Sequence, residues 1–423
     1  MLQVNYIRDN KEQVLEKLAI KNFKQPEIVH QVIELDDLRK HTQLQLDSTL
    51  EKGKILATQI GGMMKTGDKE GAENLKIENT QLKEFGKTFS DKLEEIETEL
   101  KALLYLIPNL PAASVPKGFC ADDNETIFSH GNIPELIATA QPHWELATKY
   151  NLIDFELGNK ITGAGFPVYK GKGAKLQRAL INFFLAEAEK QGYTEIQPPI
   201  LVNEASGYGT GQLPDKEGQM YFVGIDNLYL IPTAEVPITN LYRDVILKEE
   251  ELPVKNAGYT PCFRREAGSY GAHVRGLNRL HQFDKVEIVQ IAHPEKSYEI
   301  LEQMSSYVQS LLQKLELPYR VLRLCGGDMS FASALTYDME VYSAAQAKWL
   351  EVSSVSNFET FQANRLKLRF KNKEGKNQLC HTLNGSALAL PRIVAALLEN
   401  NQTENGINIP KALQAYTGFD FIS

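Results

Sequence analysis

The chain is poor in the residues that build disulfide frameworks and metal clusters. It has four cysteines in 423 residues, and they lie far apart at Cys120, Cys262, Cys325 and Cys380. Because no Cys-x-x-Cys pair is present, a zinc site is disfavoured, and we expect four buried free thiols in a reducing compartment. None of the eight histidines has a partner at ligand spacing, so a histidine metal site is not expected either.

Long apolar runs are absent as well. No segment approaches the roughly 18 apolar residues that a membrane-spanning helix needs, and we expect no membrane partner. The first ten residues lack the basic and then apolar regions of a secretory signal, so we expect a cytoplasmic protein. A hydrophobic content of 43% and a charged content of 24% are typical of a soluble globular chain, here with two or three domains.

The first quarter of the chain is predicted to be polar and helical. After short helices in the first thirty residues, one helix is expected from Ile28 to about Ile60 and a second from about Ala72 to Ile107. A glycine-rich break from Gly61 to Gly71 separates them. Two helices of about 35 residues would form an antiparallel arm about 50 Å long at 1.5 Å per residue.

The apolar positions of the second helix predict a coiled coil. Their spacings alternate between three and four, except for one extra four before Leu93, which predicts a stutter. These positions are Leu75, Leu82, Phe85, Phe89, Leu93, Ile96, Leu100, Leu103 and Ile107. The seam candidates of the first helix are Leu35, Leu38, Leu46, Leu50 and Ile60. Such a pair buries one narrow seam, so dimerisation, spacing and binding all stay open as its role.

Charge alone does not identify a nucleic-acid partner. The formal net charge is −8, and residues 27–108 contain 11 Lys and Arg against 16 Asp and Glu. Phosphate binding needs only a local cluster of cations, however. In the arm, the candidate cluster lies near the tip, at Lys52, Lys54, Lys65, Lys69 and Lys76.

A proline-rich joint at residues 108–118 predicts the boundary between an N-terminal domain, 1–108, and a second domain, 109–423. Strand and helix patterns are mixed beyond it. Residues 175–191 predict an amphipathic helix, and residues 192–199 predict a turn, a short strand and a proline stop. The apolar side of that helix carries Leu176, Leu180, Phe183, Phe184 and Ala188.

Residues 263–287 are the most informative segment. Arg264 and Glu266 open it, a glycine-rich stretch leads to Arg275, and an aromatic run from Phe283 ends at Glu287. Arginine suits polyphosphate because its charged, planar group meets two oxygens at once. The pattern predicts strand, turn and strand, and on its own it also fits a basic surface hairpin.

Three other segments carry candidate chemistry. Thr233 and Glu235 are two apart on an expected strand, so they would share one face and could hold a small zwitterion. Glu351 and Ser354, in an alternating stretch, offer oxygen ligands of the kind that Mg²⁺ takes beside nucleotide phosphates. Residues 383–401 predict a strand that becomes a helix, with Pro391 at an early helical position and Arg392 in the first turn, where anions bind.

Together these segments resemble the class II aminoacyl-tRNA synthetases, and specifically the bacterial-type seryl-tRNA synthetases. Residues 175–199 resemble motif 1, residues 259–287 motif 2, and residues 383–401 motif 3, while the helical arm matches the family's N-terminal extension. The resemblance implies an α+β fold, in which an N-terminal two-helix coiled-coil arm is joined to an antiparallel sheet of six or seven strands flanked by helices. It also implies a homodimer that activates serine with ATP and charges serine tRNA, with selenocysteine tRNA as a second candidate.

The resemblance also implies roles for individual residues. Arg264 would bind the α-phosphate, Arg275 the outer phosphates, and Glu266 either the adenine amino group or the arginines. The serine-binding set is Thr233, Ala234, Glu235, Arg264, Glu287 and Ser386. The ATP-binding set is Arg264, Arg265, Glu266, Arg275, Phe283, Glu351, Val352, Ser353, Ser354 and Arg392, with Glu351 and Ser354 on Mg²⁺. The tip lysines would meet tRNA.

Two departures from the family pattern affect these expectations. Residues 270–274 read Tyr-Gly-Ala-His-Val where relatives often have a polar or basic centre, which puts contacts with the tRNA acceptor end in doubt. Pro391 replaces a common glycine before Arg392.

Two other functions are compatible with parts of this sequence. An amino-acid:carrier-protein ligase would share the catalytic domain but lack the arm at 28–107. A non-catalytic paralogue would have lost residues such as Arg264 or Glu351, and both are present.

Overall fold

The computed structural model describes residues 1–215, 218–266 and 275–423. The chain forms two units, one of residues 1–19 and 23–108 and the other of residues 20–22 and 109–423. Among the described residues, no helix combines the length and the apolar character needed to cross a membrane.

The first unit is helical. Its helices are α1 Val4–Asp9, α2 Lys11–Ile20, α3 Glu27–Thr66 and α4 Lys69–Leu106. The last two pack as an antiparallel pair about 60 Å long at 1.5 Å per residue, which confirms the predicted arm. Charged side chains fix the first turns of α3: the buried Asp36 carboxylate lies 2.8 Å from both Arg8 and Lys40.

The predicted break between the two helices is wrong in its extent. Helix α3 runs through Gly61 and Gly62 to Thr66, and only residues 67 and 68 connect it to α4. Glycine lowers helix stability by only ~1 kcal/mol, which the packing along the pair outweighs. The helix ends at Gly67 because its φ of 87° is left-handed, and Asp68 then accepts a hydrogen bond from the Gly71 N–H, capping α4.

The predicted stutter is also wrong. The least exposed positions of α4 alternate regularly in steps of four and three, at Leu75, Asn79, Leu82, Gly86, Phe89, Leu93, Ile96 and Leu100. Phe85, in contrast, is 58% exposed. The seam candidates Leu38 and Leu50 of α3 are also exposed, to 39% and 52%. The prediction from apolar residues alone missed the seam between the two helices, because two of its positions, Asn79 and Gly86, are not apolar. A Cβ at Gly86 would lie 3.8 Å from the Leu50 side chain, so this position faces α3.

The second unit mixes helices and strands. Its helices are α5 His143–Lys149, α6 Phe155–Ile161, α7 Gly171–Lys190, α8 Glu204–Thr210, α9 Glu235–Asn240, α10 Ser297–Lys314, α11 Thr360–Leu366, α12 Leu390–Asn400 and α13 Lys411–Thr417. Its strands are β1 Glu125–His130, β2 Ile153–Asp154, β3 Val168–Tyr169, β4 Thr194–Glu195, β5 Leu201–Asn203, β6 Phe222–Val223, β7 Leu228–Leu230, β8 Ile246–Lys248, β9 Val254–Phe263, β10 Gln282–Ala292, β11 Tyr319–Arg323, β12 Leu335–Ser343, β13 Lys348–Asn357, β14 Arg369–Lys371, β15 Asn377–Leu379, β16 His381–Ala389, β17 Ile407–Asn408 and β18 Phe421–Ile422.

Within the described ranges the main sheet has eight strands, in the order β1-β11-β12-β13-β16-β10-β9-β4. All neighbours pair antiparallel except β4, which runs parallel to β9 at the edge. The expected six or seven strands are therefore too few. Helices α7, α10 and α12 pack on this sheet and share one apolar core with it.

The motif 1 segment has the predicted form. Helix α7 buries Leu176, Leu180, Phe183, Phe184 and Ala188, and Gly192 with a φ of 78° turns the chain into β4. The cysteines agree less well. All four are free thiols, but Cys120 is exposed and not buried as expected.

Candidate active site

Strands β9 and β10 form the backbone of the site. They pair antiparallel along nearly their whole length. Arg264 directly follows β9, and Glu287 lies in the middle of β10. The two strands of the prediction are confirmed, although β9 already ends at Phe263, and residues 275–278 form a turn before β10. Residues 267–274, and with them the unusual stretch 270–274, lie outside the described residues.

A buried ion pair lies at the centre of this region. Lys285 Nζ is 2.6 Å from Glu287 Oε2, and the two side chains are 7% and 2% exposed. The Thr233 hydroxyl accepts a hydrogen bond from Lys285 at 2.9 Å and donates one to Glu287 at 3.2 Å. Sequence reasoning missed Lys285, although it lies two residues before Glu287 and therefore on the same face of β10.

Glu235 adds a second buried carboxylate beside this pair. Burial, and after it the charge of Glu287, raise the pKa of Glu235 to about 7, although Gln362, Lys285 and Arg264 oppose the shift. Gln362 donates to Glu235 Oε1 at 2.6 Å, and the Thr382 hydroxyl fixes Gln362 by donating to it at 2.7 Å. The pocket therefore contains two carboxylates against one ammonium, which favours a cationic group on its ligand.

The expected strand through Thr233 and Glu235 is wrong, because helix α9 begins at Glu235. The Thr233 hydroxyl accepts a hydrogen bond from the Glu235 N–H at 3.3 Å, the local contact by which threonine favours a helix start over a strand. Both side chains are nevertheless buried in the same pocket, and Ala234 between them is fully buried.

Arg264 lies at the edge of the pocket. Its Nε donates to the Pro232 carbonyl at 3.3 Å, and its guanidinium lies 5.3 Å from the centre of the Phe283 ring. Its backbone is held on both sides by His281, whose carbonyl accepts the Arg264 N–H at 2.9 Å and whose Nδ1 is 3.0 Å from the Arg264 carbonyl. The two Nη groups have no hydrogen-bond partner among the described residues, so they are free to bind an anion.

Glu266 and Arg265 follow directly. The Glu266 carboxylate is paired with Arg279, a residue that sequence reasoning did not select, and the Glu266 backbone has a left-handed φ of 48°. Arg265 is exposed and donates its backbone N–H to Gln219 at 2.9 Å.

Strand β13 brings Glu351 and Ser354 to one face by means of a β-bulge. In a regular strand, residues three apart point to opposite faces. Here Ser353 pairs with Met339 and Glu351 pairs with Glu340, so Val352 is an extra residue without a partner on β12. Asp338, opposite Ser354 on β12, lies on the same face, and sequence reasoning did not select it as a ligand.

The oxygens at this bulge fit a Mg²⁺ ion. Burial and the neighbouring Glu351 raise the pKa of Asp338 well above its usual range, and its Oδ1 has no hydrogen-bond partner within the described part of the chain. A cation beside Asp338, Glu351 and Ser354 would satisfy that oxygen. The described residues contain no group of three His, Cys, Asp or Glu that could hold a metal, so phosphate oxygens would have to complete the coordination, as is common for Mg²⁺.

Motif 3 adopts the predicted strand and helix, β16 and α12. Arg392 in the first turn of α12 donates to the carbonyls of Asn278 at 3.1 Å and Glu351 at 2.7 Å. Ser386 pairs in register with Glu287 across β10 and β16. The Ser386 carbonyl accepts a hydrogen bond from the Ser353 hydroxyl at 2.6 Å. Val352, the residue before Ser353, is buried. Strand pairing and these bonds thus join the Glu351 region to the Glu287 pocket.

Arg275 contacts an element that the sequence did not single out. Its guanidinium lies 4.9 Å from the centre of the Trp144 ring, and Trp144 belongs to the short helix α5.

The candidate tRNA-binding lysines are all exposed, namely Lys52, Lys54, Lys65, Lys69 and Lys76. Gly53 lies in the seam, where a Cβ would be 3.5 Å from Asn79, so Lys52 and Lys54 project to its two flanks. Lys76 forms an ion pair with Glu73 at 2.9 Å. Lys52 and Lys54 therefore lie on different flanks of the seam, and Lys76 is already paired with a carboxylate.

Comparisons with known proteins agree on one family. Residues 221–401 match the tRNA synthetase class II core domain (G, H, P, S and T), and residues 1–111 match the seryl-tRNA synthetase N-terminal domain. The serine–tRNA ligase of Salinibacter ruber is 49% identical over 99% of this chain and 98% of its own length. The corresponding ligase of Akkermansia muciniphila is 45% identical over 100% and 99%.

Solved structures give the same result. The seryl-tRNA synthetase of Pyrococcus horikoshii complexed with ATP superposes with a TM-score of 0.92 at 31% identity, covering 100% of this chain and 99% of its own. The cytoplasmic serine–tRNA ligase of Naegleria fowleri in complex with AMP has a TM-score of 0.87 at 26% identity, with the same coverage.

Proposed function

The chain belongs to the seryl-tRNA synthetase family, and from this premise we infer that it is an ATP-dependent serine–tRNA ligase. Serine and ATP form seryl-adenylate and pyrophosphate, and the seryl group then passes to the 3′ end of serine tRNA with release of AMP. The match of residues 1–111 to the family's N-terminal domain disfavours a carrier-protein ligase without the arm. Selenocysteine tRNA is a second candidate acceptor, and the cytoplasm is the proposed location.

The pocket around Glu287 is the proposed serine site, and its charge balance is the observation that carries the assignment. Two buried carboxylates face one buried ammonium, so the serine ammonium completes the balance beside Glu235 and Thr233. Glu287 and Ser386 are placed to meet the hydroxyl of serine. Alanine would lose the hydrogen bonds that the serine hydroxyl makes with these groups, so the pocket rejects it, and the methyl of threonine is excluded by volume.

Adenylate formation needs the serine carboxylate to attack the α-phosphorus, with pyrophosphate leaving on the opposite side. Because both reactants are anionic, positioning and charge neutralisation dominate over proton transfer. Arg264, whose Nη groups have no hydrogen-bond partner among the described residues, binds the α-phosphate and the serine carboxylate. Arg275 binds the outer phosphates, and Arg392 and Phe283 take the adenine ring between them.

Glu351, Ser354 and Asp338 would hold Mg²⁺ together with ATP. When bound, the ion would neutralise phosphate charge. Glu266, paired with Arg279, lies where it can either meet the adenine amino group or orient that arginine. Arg265, Val352 and Ser353 complete the proposed ATP-binding set.

The arm is proposed to hold tRNA, and the second unit to form a homodimer. An arm with exposed lysines near its tip can recognise a tRNA by shape and phosphate contacts. For the dimer, the support is edge strand β1, all six of whose residues are exposed, Ile127 and Phe128 to 41% and 45%. An exposed apolar edge strand is normally covered.

Serine-dependent exchange of pyrophosphate into ATP tests the proposed function. We expect exchange with serine and none above background with alanine or threonine. Exchange that is equal for all three amino acids, or absent with serine, would reject the assignment. Charging of serine tRNA, with a tRNA for another amino acid as control, then tests the second step.

A further inference from the structure

Helix α5 contacts the end of the motif 2 loop although it lies far away in the chain. Trp144 supports Arg275, whose guanidinium is 4.9 Å from the ring centre, within the distance of a cation–π contact. Arg275 is exposed and has no ion pair with any described residue. The Trp144 Nε1 is buried without a hydrogen-bond partner among the described residues, so the contribution of this indole to Arg275 is its aromatic face.

His143, the preceding residue, holds the backbone of the same turn. Its Nε2 is 2.9 Å from the Leu277 nitrogen and accepts that N–H. The proton of the neutral ring therefore lies on Nδ1, which is 2.7 Å from Glu399 Oε1. The turn packs directly on the ring: Gly276 has a φ of 70°, and a Cβ there would lie 2.3 Å from His143 Nε2.

A buried network fixes His143 in turn. Glu399 also accepts the His143 backbone N–H and the Gln346 amide, each at 2.9 Å, and the Ser343 hydroxyl. Gln346 accepts the Asn278 amide at 2.9 Å, and the Asn278 carbonyl accepts Arg392 Nε at 3.1 Å. The side chains of His143 and Glu399 are completely buried, so the network is a rigid support.

We propose that His143 and Trp144 are positioning residues for ATP: His143 fixes the turn at residues 275–278, and Trp144 holds the Arg275 guanidinium ready for the outer phosphates. This rests on the proposed function, because it takes Arg275 as a phosphate ligand. An exposed arginine without support samples many rotamers, and ordering it on binding weakens affinity. Trp144 removes part of that cost before ATP arrives.

The test compares matched substitutions in the full-length protein, with serine-dependent exchange measured over ranges of ATP and serine. Trp144→Phe keeps an aromatic face and removes no hydrogen bond, whereas Trp144→Leu removes the face. We expect Trp144→Leu to raise the KM for ATP about threefold to tenfold, with the KM for serine within about twofold. Trp144→Phe recovers most of the loss. Thermal unfolding of both variants monitors the fold.

A second pair separates the two nitrogens of His143. His143→Asn keeps a donor near Nδ1 and removes the acceptor for Leu277, while His143→Gln places an amide oxygen near the Nε2 position. We expect the KM for ATP to rise about tenfold in the Asn variant and clearly less in the Gln variant. Equal KM values in the two variants would overturn the role of His143.

The decisive control is the Arg275→Ala background. If Trp144 acts through Arg275, Trp144→Leu has no further effect on the KM for ATP once Arg275 is removed. The same fold-increase in both backgrounds, or no increase in either, would overturn the proposal. Absence of serine-dependent exchange in the unmodified protein would instead reject the proposed function, so the two failures are distinguishable.

Discussion

Substituting Lys285 by methionine tests the charge balance of the serine pocket. Methionine has a similar length and no charge, so the change leaves Glu287, 2% exposed, without its buried partner. Removing one member of a buried ion pair costs about 3–5 kcal/mol of stability, because an uncompensated charge remains in the interior. The lost hydrogen bond to Thr233 adds ~1 kcal/mol.

The double variant Lys285→Met with Glu287→Gln removes both charges. Replacing a buried pair as a whole is often close to neutral, so we expect the double variant to regain at least about 2 kcal/mol relative to Lys285→Met. The measurement is urea unfolding followed by tryptophan fluorescence. Both tryptophans, Trp144 and Trp349, lie in the second unit, so the signal reports that unit and not the arm.

Activity separates stability from function. The double variant remains folded but lacks the carboxylate proposed for the serine hydroxyl, so we expect its serine-dependent exchange to fall by about 100-fold or more, equivalent to ~3 kcal/mol. A Lys285→Met variant within about 1 kcal/mol of the double variant would refute the charge coupling. Near-normal exchange in the double variant would refute the assignment of the pocket to serine.

Four further predictions concern single features of the site and the arm. Arg264→Ala should lower exchange about 100-fold at unchanged stability, and a loss within about threefold would remove Arg264 from the phosphate site. Glu287→Ala should raise the KM for serine far more than that for ATP; equal rises would mark a general structural residue. Burial holds the pKa of Glu235 at about 7 against 4.5 for the free group. The folded chain thus binds this proton more tightly, and the stability that the bound proton provides is lost as the pH rises from 4.5 to 7. Below pH 7 the ionised form that binds ammonium is depleted, so the KM for serine should rise, and a profile unchanged by Glu235→Gln would contradict this. Replacing residues 41–93 by a short linker, which spares the buried cluster at Asp36, should preserve exchange and abolish tRNA charging, whereas near-normal charging would identify a spacer.

The arm shows what the spacing of apolar residues can predict and what it cannot. Two long antiparallel helices followed from helical composition and spacing, and the structure confirms them. The seam was predicted one residue out of place around Phe85, because the pattern was read from apolar residues alone. The seam positions Gly86 and Asn79 leave no hydrophobic signal.

The residues of the site also fall into those that the sequence predicts and those that it does not. Residues in short motifs, such as Glu287 and Arg392, could be placed on their strand and helix because local spacing determines side-chain direction. Lys285 could have been found from its position two residues before Glu287. Trp144 and Gln362 could not, since their contacts with the site depend on long-range packing that leaves no periodic trace.

The extra residue at Val352 limits how this part of the chain can change length. Deleting Val352 would remove the bulge and leave Glu351 and Ser354 two apart in a regular strand, so both side chains would still lie on one face and the register with β12 would be kept. Ser356, whose hydroxyl is 2.9 Å from that of Thr336, would keep this partner on β12. Substitution of Val352 by another apolar residue keeps the count and costs only local packing. One deletion at this point is therefore absorbed by loss of the bulge, whereas a second would shift the register by one residue and turn the rest of β13 to the opposite face of the sheet.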